Sequence, residues 1–168
     1  MLWRMSRAFV RENDGTDVPE DMPERPISTH PNFVTAHGLQ QIETQVRELA
    51  REREPLKRDE DKAGLARIDR ELRYWLQRKS SAKVIEPEAS PHKVRFGIRV
   101  TVRHDDGEER SYTLVGEDEA EPAHGLISWM SPIAQALIGA EEGDDVQLQG
   151  QHAEVVGLAV PAITPSKV

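Results

Sequence analysis

Apolar residues recur at alternating steps of three and four along two stretches of the chain. The first set is Leu39, Ile42, Val46 and Leu49; the second is Leu65, Ile68, Leu72 and Trp75. One ladder continues through Arg53 to Leu56, the other through Lys79 to Ala82. Such steps keep one seam of an α-helix apolar, which is the coiled-coil pattern. Asp59, Glu60 and Asp61 sit between the ladders, in a link too short for anything but a reversal of direction. The pattern predicts a short antiparallel coiled-coil hairpin over residues 33–85 with an acidic tip. Thr35 is placed to cap its first helix, and Asp59 or Asp61 its second, where a carboxylate also suits the helix dipole. Pro55 has no N–H to donate and should kink or end the first helix nearby. Trp75, on the seam, reads as core.

Past Pro87 and Pro91 the period changes from seven to two. Val94, Phe96, Ile98, Val100 and Val102 alternate with polar or small residues, as on a half-buried strand. Asp106-Gly107 supplies hairpin-turn chemistry, and the chain returns through Tyr112, Leu114 and Val115. Residues 126–129 read as a third short strand. Ser131 then caps a helix that opens on Pro132, presents Ile133, Ala134, Ala136, Leu137 and Ile138 as its apolar side, and ends at Gly139. Two last strands are expected near 145–149 and 153–160. The fold class is α+β: a helical hairpin followed by a small antiparallel sheet domain with one helix, over residues 92–162.

Composition fits that picture. The chain has 168 residues, of which 37% are hydrophobic and 31% charged, and a mean hydropathy of −0.63, which suits a thin hairpin largely in water. Residues 1–32, with Pro19, Pro23, Pro26 and Pro31 set in acidic sequence, read as an irregular arm. Twenty-two basic against 30 acidic residues give a net charge of −8, which argues against tight independent binding of nucleic acid. The same charge permits docking on a basic protein surface. With no cysteine there is no disulfide or thiolate chemistry. No apolar run reaches membrane-spanning length and no secretory signal is seen, so the expected location is cytoplasmic. The six histidines lack metal-ligand spacing, and neither a phosphate-binding glycine loop nor a serine nucleophile elbow is present. No catalytic residue, metal site or cofactor is predicted.

One set of residues carries a resemblance. Phe96-Gly97, Asp106-Gly107, the run Val115-Gly116-Glu117-Asp118-Glu119-Ala120, Ile127-Ser128, Ser131-Pro132-Ile133-Ala134, Ala136-Leu137-Ile138-Gly139 and Gly143-Asp144 resemble the C-terminal domain of bacterial GreA/GreB transcript-cleavage factors. The order of hairpin and sheet domain is also that family's. The resemblance implies an FKBP-like sheet domain that holds RNA polymerase at the rim of its secondary channel while the hairpin enters the channel. DNA and RNA would then be met only indirectly, through the transcription complex, by a monomer with no membrane contact. Trp129, Met130, Ser131 and Pro132 become the expected polymerase contact, although Ser131-Pro132 also reads simply as a helix start. Met130 stands where the family often has Asn or Asp, replacing a polar contact by an apolar one.

The tip departs further. Cleavage-stimulating members carry a Ser-Glu-Asn-Ala motif whose acidic neighbours help hold a Mg²⁺ at the polymerase's active centre. Here the turn reads Lys57-Arg58-Asp59-Glu60-Asp61-Lys62-Ala63. The hairpin also lacks roughly two dozen residues relative to typical members, which shortens its reach by roughly 18 Å at 1.5 Å per residue and arm. In this it resembles the short-hairpin Rnk type. The expected function is a non-enzymatic regulator of transcription elongation that binds polymerase without stimulating cleavage. Two alternatives stay open. One is an active cleavage factor using Asp59, Glu60 and Asp61; the other is a coiled-coil interaction module, with Arg53 and Lys79 marking pairing-competent seam positions.

Overall fold

The computed structural model describes residues 23–162. Residues 1–22 of the expected arm therefore lie outside the described residues. The remainder of the arm is irregular but placed: Arg25 stacks 3.7 Å above the Tyr74 ring and bonds Glu71 at 3.1 Å, while Glu24 receives Arg73 at 2.5 Å.

The hairpin forms as its ladders dictate. Helix α1 spans Ala36–Arg58 and helix α2 spans Lys62–Ser81. The Thr35 hydroxyl accepts the Gly38 N–H at 2.9 Å, and the Asp61 carboxylate accepts the Gly64 N–H at 2.9 Å, so both expected caps are in place. Pro55 does not end α1, which runs three residues further. The carbonyl that Pro55 leaves without a helical donor belongs to Arg51, and both residues are exposed, so water can satisfy it. Ile42 and Ile68 are buried in the seam, and the other ladder leucines and Trp75 are half-buried, as expected of two helices with no third to cover them. The polar seam positions find partners across the hairpin. Arg53 donates to Asp69 at 2.6 Å, and Lys79 lies 3.3 Å from Glu43. Each thus has a partner within the hairpin, the Lys79–Glu43 pair lying at the surface.

Two strands absent from the sequence expectations tie the base of the hairpin together. Phe33–Val34 (β1) and Lys83–Val84 (β2) pair in parallel, Phe33 opposite Lys83 and Val34 opposite Val84. Two-residue strands carry no periodic signal, so alternation could not reveal them.

The second module is a five-stranded sheet built from Arg99–His104 (β3), Glu109–Val115 (β4), Leu126–Ser128 (β5), Asp145–Leu148 (β6) and Gln151–Ala159 (β7), in the order β5-β4-β3-β7-β6. Helix α3, Pro132–Leu137, is short and packs near β5 and β6. Its core joins Val94, Val100, Val102, Leu114, Ile127, Ala134, Leu137, Leu148, Ala153 and Val155. Val100 and Val102 are fully buried while Arg99 and Arg103 face water, so the period of two holds within β3.

Three expectations need correction here. The strand foreseen from Val94 begins only at Arg99, because Gly97 adopts φ +83° in a turn closed by an Ile98 N–H···O Arg95 bond. Val94 is buried instead by exchanging hydrogen bonds with Gly139 and Ala140. The sheet is mixed rather than wholly antiparallel: β5 runs parallel to β4, with Leu114 opposite Ile127. Residues 116–125, with a 3₁₀ turn at Pro122–His124, carry the chain back so that β5 starts at the same end as β4. On α3, finally, only Ala134 and Leu137 are buried, whereas Ala136 and Ile138 are exposed.

One ionisable contact makes this domain pH-sensitive. The His152 ring on β7 lies between Asp105 in the β3–β4 turn (2.6 Å) and Asp145 on β6 (2.9 Å), and these bonds raise its pKa above the ordinary 6.5, Asp105 contributing most. A raised histidine pKa stabilises the fold fully below the unfolded value of 6.5, and the contribution is lost as pH rises through the folded pKa. Melting curves should therefore show the advantage of the parent over His152→Gln to be greatest below pH 6.5 and to vanish at alkaline pH.

Candidate functional site

Three places carry the residues singled out by sequence: the hairpin tip, the loop before α3 and the junction between the modules.

At the tip, Asp59 closes α1 with its N–H on the Pro55 carbonyl (2.9 Å), Glu60 turns the chain with φ 54°, and Asp61 opens α2. All three side chains are exposed and lie within one turn of chain. Their roles differ, however. Asp61 is engaged as a helix cap, leaving Asp59 and Glu60 without a side-chain partner among the described residues. No set of three or more carboxylate or imidazole groups arranged to hold a metal ion occurs among the described residues.

The loop Trp129-Met130-Ser131-Pro132 is held at both ends. Trp129 donates its N–H to Val115 (2.9 Å) and accepts the Gln135 side chain on its carbonyl (2.7 Å). Met130 donates to the Ser128 hydroxyl at 3.2 Å, and the Ser131 hydroxyl caps α3 by accepting the Ala134 N–H at 3.3 Å. The four do not form one exposed patch. The Trp129 ring turns toward β1 and packs on Phe33 (5.0 Å between centroids), which in turn meets Phe96 at 6.1 Å. Met130 and Ser131 are half-buried, and Pro132 alone is exposed. Trp129 thus joins the two modules, while the outward part of the loop is the stretch from Met130 to Pro132.

The junction is where sequence reading fell short. Gly116-Glu117-Asp118-Glu119 follows β4 and meets the base of the hairpin residue by residue. Gly116 lies so close to β1 that a Cβ there would stand 2.6 Å from the Phe33 carbonyl oxygen. Asp118 accepts the Tyr74 hydroxyl at 2.5 Å and the Arg78 Nε, both from α2. Arg78 is only 2% exposed, and its guanidinium also lies 3.6 Å from Glu117. Glu119, itself buried, accepts the Thr35 hydroxyl (2.7 Å) and lies 3.1 Å from the His37 ring at the start of α1. Burial, reinforced by the bond to Asp118, pushes the Tyr74 hydroxyl up to about 12, so it remains a donor at any physiological pH. Asn32 completes the joint by donating to the Arg78 carbonyl at 2.7 Å and so capping the end of α2. Tyr74 and Arg78 stand four residues apart on one face of α2, away from its seam; that pairing was the one signal in the sequence.

Residues 89–164 match the family model described as "Transcription elongation factor, GreA/GreB, C-term". A transcription elongation factor GreB of Yersinia pestis is 33% identical over 142 aligned positions, covering 73% of this chain and 83% of that protein. The chain belongs to the GreA/GreB family. Other Gre relatives match over less of their length. A GreB of Neisseria meningitidis serogroup B is 42% identical over 89 residues, which is 52% of this chain and 55% of that protein. A GreA of Alkalilimnicola ehrlichii is 51% identical over 78 residues, covering 45% of this chain and 49% of that protein. The chain thus spans about half the length of most of these curated relatives. Among solved structures, a transcription elongation factor GreA/GreB from Nitrosomonas europaea aligns at 23% identity with a TM-score of 0.39, over 76% of this chain and 98% of that one. A likeness that weak carries no argument about the hairpin. The Gre run Val115-Gly116-Glu117-Asp118-Glu119-Ala120 lies within the family match, and in this fold it is the seat of the hairpin. Among the described residues, no helix is long and apolar enough to cross a membrane.

Proposed function

We propose that this Gre-family chain regulates transcription elongation by binding RNA polymerase at its secondary channel, without stimulating transcript cleavage. It acts as a monomeric accessory protein with no catalytic site of its own and meets nucleic acid only within the transcription complex. The observation that carries this reading is the length of the hairpin. At 1.5 Å per residue, the 23 residues of α1 extend about 34 Å from the joint to Asp59. The Yersinia match leaves room for a shortened probe. It spans 142 aligned positions but takes in only 73% of 168 residues, so about 19 positions have no counterpart here, or about 14 Å of reach if divided between two arms. Carboxylates coordinate a metal ion over 2–3 Å or through one water, so a deficit of that order is beyond any rotamer. Chemically, the tip offers Asp59 and Glu60 as free anions between Lys57, Arg58 and Lys62, a mixed-charge end suited to occupying a channel. The outward stretch from Met130 to Pro132 is the proposed polymerase contact, less polar than its counterpart in the family.

Single-turnover assays on backtracked elongation complexes test the proposal. The protein should bind polymerase and slow cleavage by an added cleavage-competent Gre factor, yet leave the nascent RNA unshortened by itself. Robust shortening that disappears in Asp59→Asn/Glu60→Gln would establish the cleaving alternative instead.

A further inference from the structure

We propose that Glu117, Asp118 and Glu119 are positioning residues that fix the direction in which the hairpin points, making the two modules one rigid lever. The proposal deepens the polymerase reading and, for its consequence in transcription, rests on it. Its ground is the division of labour among three consecutive carboxylates. Glu119 holds the first turn of α1 through Thr35 and His37, and Asp118 holds the last turns of α2 through Tyr74 and Arg78. Glu117 lies 3.6 Å from Arg78 on one side and 3.9 Å from His30 of the arm on the other. Each arm of the hairpin is thereby fixed separately to one short segment of the sheet domain, which blocks both tilting and twisting at the base. Thr35 links cap and joint: its oxygen accepts the Gly38 N–H while its proton goes to Glu119. Gly38 leaves room for this contact, since a Cβ there would stand 2.6 Å from Glu119 Oε2.

The leverage is large. With an arm of about 34 Å, about 10° of slack at the joint moves the tip by about 6 Å, comparable to the full length of a tip side chain. Single charge contacts on a protein surface hold such an angle poorly, but here Arg78 is 2% and Glu119 is 9% exposed.

The absence of cysteine makes the angle measurable on the full chain. Spin labels placed by Lys62→Cys at the tip and Gln147→Cys on β6 report the tip-to-sheet distance by pulsed dipolar spectroscopy. The parent should give one narrow distribution. Asp118→Asn combined with Glu119→Gln should at least double its width, or shift it by about 6 Å or more, with helicity and the melting transition of the sheet domain retained. Gly38→Ala should broaden it as well even though alanine favours the helix, whereas Thr35→Ser, which keeps the hydroxyl, should match the parent. Since alanine raises the intrinsic helix preference of α1, Gly38→Ala gives an independent answer if the double variant unfolds. In polymerase assays the loosened variants should retain docking but lose at least tenfold in competition against a cleavage-competent factor. Parental widths in folded Gly38→Ala and Asp118→Asn/Glu119→Gln would overturn the proposal. If the parent itself fails to bind polymerase, the functional reading falls while the label distances still decide the joint.

Discussion

Arg78→Ala will cost the fold about 3–5 kcal/mol, because it leaves the largely buried Asp118 carboxylate facing a cavity with no countercharge. Arg78 is 2% exposed, so water cannot replace the guanidinium without opening the joint. Much of that cost is the penalty of stranding a charge rather than the net worth of the pair. Arg78→Met combined with Asp118→Leu should therefore recover most of the lost stability, since paired charges taken out together release their desolvation cost. Urea titrations of the parent, both single variants and the double variant complete the cycle. Single and double losses of equal size would show that packing by the arginine stem, not charge compensation, holds the site.

Leu137→Ala will destabilise the sheet domain by about 2–5 kcal/mol through lost burial and the cavity left behind. Leu137 is completely buried on a six-residue helix whose other buried residue is Ala134, so no neighbouring turn can slide in to fill the space. The effect should reach beyond stability. The loop from Met130 to Pro132 runs directly into α3, and a loosened helix releases the Ser131 cap and the Gln135 bond to Trp129. Ile138→Ala, at an exposed position next in sequence, is the matched control and should cost little. Thermal melts rank the pair for stability, and polymerase binding well below the melting point separates a local effect on the loop from global unfolding.

Periodicity made the hairpin legible because a rod of two helices leaves its seam no other pattern to follow; Thr35 caps α1 as read, and of the two capping candidates at the tip Asp61 takes the role. The sheet strands were legible from β3 onward, where Val100 and Val102 alternate with Arg99 and Arg103. They were misjudged at Val94, whose burial comes from the loop after α3 rather than from a strand neighbour. A period-two pattern reports burial, and burial need not mean ladder pairing. The parallel course of β5 was hidden for a related reason, since three residues cannot announce their direction. The joint was the largest omission. Glu117, Asp118 and Glu119 look like an ordinary solvated acidic run, and their partners Arg78 and Thr35 lie about 40 and 84 residues away in the chain. Charge complementarity between remote segments becomes visible only after folding brings them together.

The parallel pairing of β1 with β2 sets Phe33 beside Lys83 and Val34 beside Val84, so the chain enters and leaves the hairpin through a single doorway. Everything beyond that doorway is an excursion that returns to its starting point. Equal lengths can be added to or removed from the two arms, in whole heptads, without shifting any residue of the frame. Reach then becomes a dimension that varies independently of the seating: one frame can carry a long finger or a short one.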